Sequence, residues 1–264
     1  MPFPNYPDKY GASAHLTPEA MERSRDAHDV EVPEAVVLCY QPGFFEYIVE
    51  KHAETKIETL GEDRLILSPD RFYTLSDTEG RVGVLGNFGI GAPTTAIAME
   101  QLIGFGTDTF CIVGGCGGLG GNVARHEPIV CNRAIRDEGV SHHYLPSEMY
   151  ASASSTLVTQ LENALGAAGL EHQTGSSWTT DAIYRETDAE IEHYRDEGVL
   201  AVEMEAATIF SIAEYRDVDA GALLCPLDLV MVNDWEPSRE SSVDGLRDLL
   251  VPARDALLES TDSA

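Results

Sequence analysis

The sequence predicts an α/β protein, a three-layer sandwich on a central mixed, mostly parallel sheet. Three observations lead there. Short apolar strand-like runs alternate with helical segments along the chain. Glycine-rich turns follow two of the runs directly. At 264 residues with 43% hydrophobic content, the chain can bury one full core. Nothing reads as an internal repeat or a linker, so a single domain over 1–264 is expected.

The elements follow in order. Residues 1–33 are Pro-rich and polar, and Thr17 before Pro18 suits the start of a helix through Arg25. Val36–Leu38 is a buried strand, and Pro42-Gly43 turns into a helix from Phe44 to His52. Leu65–Leu67, Phe72–Leu75 and Val82–Leu85 are strands. Asn87-Phe88-Gly89-Ile90-Gly91-Ala92-Pro93 leads into a helix from Thr94 to Ile103. Thr109–Val113 is a strand that opens into a loop, Gly114 to Gly121. Further strands are expected at 128–131, 172–178, 199–204 and 221–224. Helices are expected at 157–168 and 189–195, from Glu205 onward, and from Val243 to Leu258.

Composition narrows the function classes. Forty-five acids face seventeen bases, for a formal charge of -28, and the only lysines are Lys9, Lys51 and Lys56. A dispersed acidic excess of this size suits a halophilic protein, because concentrated salt screens the self-repulsion. Structure is expected to be lost below roughly molar salt. No basic stripe exists, which argues against nucleic acid as a partner. No apolar run approaches the roughly eighteen residues a membrane span needs, and Met1-Pro2-Phe3-Pro4 lacks the features of an export signal. Cys39, Cys111, Cys116, Cys131 and Cys225 are odd in number and form no C-x-x-C pair. Free thiols in a reducing cytoplasm are the expected state. His142 and His143 are adjacent, so on a strand they face opposite ways, and no metal site is expected.

The most informative stretch is Ala201-Val202-Glu203-Met204-Glu205-Ala206-Ala207. Strand alternation puts Glu203 and Glu205 on one face with Met204 opposed. Two buried carboxylates at a strand-to-helix junction suit a ligand with paired hydroxyls, such as a ribose. A solvated pair at a strand end is the alternative. Gly115 to Gly120 spells G-x-G-x-x-G, yet Pro128 and the next strand come about eight residues later, too few for the helix of a dinucleotide fold. Its amides suit an anion nest, or else a tight turn between hairpin strands. Asn87 to Pro93 runs straight into a helix, whose N-terminus favours an anion.

Glu203-Met204-Glu205-Ala206-Ala207 resembles the ribose-binding signature of the hexameric nucleoside phosphorylases, the purine nucleoside and uridine phosphorylases. The resemblance covers most of the chain. Gly89–Ala98 and Val113–Leu119 match the family's two glycine-rich segments. Ala134-Ile135-Arg136 with Gly139, Ser141 and His143 resembles the uridine-phosphorylase branch, and Thr180–Tyr184 matches the base-pocket stretch.

The resemblance implies that family's fold and cleavage of an N-glycosidic bond. Phosphate is the co-substrate, no cofactor is needed, and the assembly is a homo-oligomer between dimer and hexamer. Ribose would be held by Glu203, Met204 and Glu205, with His15 reaching a neighbouring site. Phosphate would meet Gly89, Gly91, Gly114, Gly115 and Arg71, the last loosely matching an arginine donated by a neighbouring subunit. Gly117, Ile183 and Tyr184 would face the base. Asp228 would act as the acid beside Glu205, with Asp234 its rival. Arg136, with Arg125 and Arg133, is either a replacement anion ligand or an ion-pair partner for the acidic surface.

The departures concern phosphate and base. Phe44 and Ile112 stand where the family has phosphate-binding arginines, and Gly115 where it has a serine or threonine. Arg185-Glu186-Thr187 follows Tyr184 in place of the pair that reads uracil. Phosphorolysis is favoured because amide-rich loops suit an oxyanion. A nucleosidase using water and a non-catalytic nucleoside-binding protein are the alternatives.

Overall fold

A computed structural model describes residues 6, 9–18, 20, 31–57, 67–119, 121–237 and 242–262. The elements in chain order are β1 (Ala35–Leu38), α1 (Pro42–Lys51), β2 (Ala53–Lys56), β3 (Phe72–Leu75), β4 (Val82–Leu85), α2 (Ala92–Phe105) and β5 (Thr109–Gly118). Then come β6 (Ile129–Asp137), α3 (Ser141–Tyr144), β7 (Tyr150–Ser152), α4 (Ser155–Ala167), β8 (Gln173–Thr180) and α5 (Asp188–Asp196). The chain continues through β9 (Ala201–Glu203), α6 (Ala206–Arg216), β10 (Asp219–Met231), β11 (Asp234–Glu236), α7 (Ser242–Leu246) and α8 (Leu250–Thr261).

β1 is apolar at every position because it has a parallel strand on each side and both its faces are covered. One mixed sheet results, in the order β11-β10-β6-β8-β9-β5-β1-β4-β3-β2, with β7 beside β6. Its parallel pairs are β1–β4, β1–β5, β5–β10, β6–β8 and β8–β9. Antiparallel pairs add β2, β3, β7 and β11 and cross-link β5–β9 and β6–β10. Because β10 also pairs β5, strands β5, β10, β6, β8 and β9 close into a ring. One large apolar cluster joins the sheet to α2 and α6, and a second joins it to α1, α4, α7 and α8. The layers are therefore helix, sheet, helix. All five cysteines are buried and unbridged. Among the described residues no helix is long and apolar enough to cross a membrane.

Several elements differ from the sequence reading for identifiable reasons. The glycine run after Val113 is not a loop, since β5 continues through Gly118 between β10 and β9. A Cβ on Gly115 would lie 2.3 Å from Leu227 Cδ1, and on Gly117 2.8 Å from Val230. The glycines leave room for side chains arriving from the neighbouring strand. β10 runs far past the expected Leu224 because Pro226 sits at a register shift rather than a strand end. His142 and His143 lie on the short helix α3, not on a strand. The closing helix is interrupted at Arg247–Leu249 by a 3-10 turn, giving α7 and α8. Strand β2 was not expected. Residues 65 and 66 of the expected Leu65–Leu67 strand lie outside the described residues, and Leu67 is buried but not in a strand. For the first helix, Thr17 Oγ1 accepts the Ala20 N–H as an N-cap would, and residues 21–25 lie outside the described residues.

Candidate active site

A cavity of about 830 Å³ opens where the ring meets the rest of the sheet. Its position follows from the pairing. β1 covers one edge of β5 up to Ile112, and β9 covers that edge again only from Gly117. Between them neither strand is present, and Gly114, Gly115 and Cys116 line the cavity. Tyr40 and Gln41 enter from the start of α1, Glu203, Met204 and Glu205 from the β9–α6 junction, and Asp228 from the bulged part of β10.

The two junction carboxylates do different things. β9 ends at Glu203, so strand alternation stops there and Glu205 is the N-cap residue of α6. Glu203 turns inward. Its Oε1 accepts from Ser177 Oγ (3.1 Å) and Thr179 Oγ1, and its Oε2 accepts the amides of Glu205 and Ala206, each at 2.7 Å. Thr179 Oγ1 in turn accepts the Ala207 N–H at 3.0 Å. Glu203 thereby caps α6 from within the sheet, where the helix dipole favours a negative charge. Burial pushes its carboxyl up, opposed by these bonds.

Glu205 points the other way. Its Oε1 accepts the Gly91 N–H at 2.6 Å. Gly91 is the N-cap of α2 with φ 93°, a left-side conformation that glycine holds without strain. Thus the Asn87–Gly91 turn and the Glu205 carboxyl are joined beside the cavity. Glu205 is 7% exposed. Burial, and then the Glu203 carboxylate, push its carboxyl up to about 8. Tyr40 packs near it with its hydroxyl 3.0 Å from Thr95 Oγ1, and burial pushes the phenol well up.

Asp228 Oδ2 accepts the Trp235 indole N–H at 2.6 Å. Asp234 lines the same region, so both candidate acids face the cavity. Ile183, Tyr184 and Glu186 also line it, from the turn between β8 and α5, and Tyr184 is 94% exposed at its mouth. Gly117 lines it as well, whereas Gly89 is only near it in sequence.

The cationic candidates are not brought in. Among the described residues, no Lys, Arg or His lines the cavity. Arg136 is 5% exposed and donates to Ser141 Oγ (3.0 Å), the Pro146 carbonyl (2.7 Å) and the Leu145 carbonyl (3.1 Å). Its guanidinium pins residues 141–146 to β6. Arg125 donates to the Leu227 and Glu236 carbonyls, and Arg133 lies over the Tyr150 ring. Arg71 ends the 3-10 turn before β3, and His15 is exposed in the N-terminal segment. Replacing Arg136 by Ala is accordingly expected to lower stability by about 3 kcal/mol, since three charge-assisted bonds are lost in a buried place. Thermal unfolding checks this. An unchanged melting temperature with a raised phosphate KM would instead make Arg136 an anion ligand.

Sequence reasoning missed Tyr40, Gln41, Glu186 and Trp235. It also missed the hydroxyls that hold Glu203. Ser177 and Thr179 alternate in a buried strand next to β9, with Thr179 in register with Glu203, so the spacing carried a usable signal.

A family model described as the phosphorylase superfamily matches residues 34–253. A guanosine phosphorylase of Halorubrum lacusprofundi is 32% identical over 175 residues, covering 66% of this chain and 72% of the relative. A uridine phosphorylase of Haemophilus influenzae is 29% identical over 171 residues, covering 59% and 68%. A purine nucleoside phosphorylase, DeoD-type, of Bacillus cereus is 28% identical over 217 residues, covering 81% and 90%. With five-sixths of its length matched and the junction carboxylates set at one cavity, this chain belongs to the phosphorylase superfamily.

Proposed function

We propose that the protein is a nucleoside phosphorylase. A phosphate oxygen attacks C1′ of a nucleoside, the C1′–N bond breaks, and the base leaves with a proton while ribose 1-phosphate forms. The observation that carries the reading is the Glu205 carboxyl, buried at the cavity and tied to Gly91, in a chain of this superfamily. Glu205 and Met204 hold the sugar hydroxyls, and fixing the sugar supplies much of the catalytic advantage. Glu203 holds the junction in place. Asp228 gives a proton or hydrogen bond to the departing base.

Phosphate is the demanding partner. The amides of residues 88–90, ahead of the Gly91 N–H that Glu205 takes, are one source of donors. The Gln41 carboxamide is another. Its NH2 group lies over Gly115 at the cavity and can donate to an anion. Positive charge comes from Arg71, and a sugar contact from His15, of a neighbouring copy in a homo-oligomer. A lining without Lys, Arg or His among the described residues supports a second reading, hydrolysis by water.

Products separate the two. In molar KCl, which suits the acidic chain, a nucleoside incubated with the protein is expected to give ribose 1-phosphate only when phosphate is present. Free ribose released at the same rate without phosphate would make the protein a nucleosidase.

A further inference from the structure

Two buried carboxyls meet at the β9–α6 junction, Glu203 and Glu205. Glu203 Oε2 lies 2.7 Å from the amide nitrogen of Glu205, so the first carboxyl sits against the main chain of the second. The titratable groups around the pair are Tyr40 just before α1, Cys116 on β5, Cys131 on β6 and Asp181 after β8. None of them brings a positive charge, and among the described residues no Lys, Arg or His lines the cavity. Two carboxyls buried together without a cation do not both ionise near neutral pH, so one keeps its proton.

Hydrogen bonds decide which one. Glu203 meets four donors, the Ser177 and Thr179 hydroxyls and the Glu205 and Ala206 amides. Thr179 Oγ1 accepts the Ala207 N–H at 3.0 Å, which leaves its own hydrogen for Glu203. A proton on Glu203 would point at one of these donors and break its bond, so the charged form is favoured there. Among the described residues Glu205 meets backbone amides only, those of Gly91 and Met204. Burial, and then the Glu203 charge, push it up to about 8 against those two bonds.

We propose that Ser177 and Thr179 are positioning residues, which hold the single negative charge of the pair on Glu203 and thereby keep a proton on Glu205 until a bound sugar displaces it. Sugar hydroxyls then do for Glu205 what the β8 hydroxyls do for Glu203. The Glu205 O–H bond breaks, the proton passes to solvent through the cavity mouth, and the pair goes from one negative charge to two. The displacement rests on the nucleoside reading above, whereas the place of the proton in the unliganded protein does not.

Infrared difference spectra of the unliganded protein in molar KCl test the placement. At neutral pH the parent is expected to show the C=O band of a protonated carboxyl that Glu205→Gln removes, and the band should titrate away through about pH 8. A band absent from the parent, or left unchanged by Glu205→Gln, overturns the inference. Ser177→Ala combined with Thr179→Val weakens the charged form of Glu203 and lets Glu205 ionise first. The rising limb of kcat/KM is then expected to move down by about one pH unit or more, a tenfold change in proton affinity. Thr179→Ser, which keeps the hydroxyl, should hold the parent's limb. Merely structural damage would lower activity without moving the limb, and a limb unmoved in the double variant overturns the role of the hydroxyls. If the double variant does not fold, Thr179→Val alone is read in the same way. Calorimetry near pH 7, in phosphate-free molar KCl and two buffers of different protonation heat, uses whichever nucleoside the protein consumes. About one proton released per site supports displacement, and none overturns it. If no nucleoside is consumed, displacement falls with the catalytic reading, and the infrared spectra alone decide where the proton sits.

Discussion

Replacing Glu205 by Gln is expected to lower kcat/KM for the nucleoside at least about a hundredfold while leaving the fold intact. The two halves of that expectation have separate causes. In the unliganded protein the Glu205 carboxyl is held up to about 8, so at pH 7 it is largely neutral. Its Oε1 accepts the Gly91 N–H. A Gln side chain keeps an acceptor oxygen in that place, so the cap of α2 survives. What the variant loses is the ability to become a carboxylate when sugar hydroxyls donate to it and positive charge develops at C1′. A hundredfold corresponds to about 2.7 kcal/mol of transition-state stabilisation, an ordinary value for one buried charged contact. Activity within about threefold of the parent would remove Glu205 from the sugar site.

The same residue sets a pH dependence with a definite sign. In the proposed sugar site it is the ionised form that accepts both hydroxyls, so kcat/KM is expected to rise with pH and flatten above about 8, and Glu205→Gln should lose that limb. Stability runs the opposite way. A carboxyl raised from 4.5 to about 8 on folding contributes stability that is fully present below its unfolded value and is lost as pH rises through about 8. Glu203, Asp181 and Tyr40 are the titratable neighbours, and none supplies a positive charge to offset this. At pH above about 8, Glu205→Gln should therefore melt no lower than the parent.

The architecture was legible because most of its elements are periodic and local. Val36–Leu38, Phe72–Leu75 and Val82–Leu85 are strands where apolar runs said so. The glycine stretch was not legible. Whether Gly115 and Gly117 form a loop or a strand is decided by Leu227 and Val230, more than a hundred residues later, which need the space a Cβ would take. The length of β10 was not legible for a similar reason, since only the partner strand reveals the bulge at Pro226. At the site, the junction carboxylates could be found from their spacing, but not which of them caps α6 and which ties to Gly91. That depends on Ser177, Thr179 and Gly91. Charge counts could not show that Arg136 is occupied by carbonyls of the next turn. Glu186 was hidden because no motif marks it, and only the folded chain brings it to the cavity wall.

Glu203 should give a different result from its neighbour two residues on. Removing its carboxyl leaves two amides at the start of α6 and two buried hydroxyls without their acceptor. Unpaired buried donors on this scale cost about 3–5 kcal/mol. Glu203→Ala is thus expected to shift chemical denaturation to a markedly lower midpoint in molar salt. Glu203→Gln should not rescue it fully, because its NH2 replaces one oxygen in a site where every partner is a donor. The contrast separates two roles that spacing alone made equivalent. If Glu203 is the internal cap, both variants lose stability, and activity falls with the folded fraction. If it is a sugar ligand, Glu203→Gln keeps the parent's denaturation midpoint and raises the nucleoside KM. The four bonds around Glu203 leave no oxygen lone pair plainly available to a sugar, so the first outcome is expected.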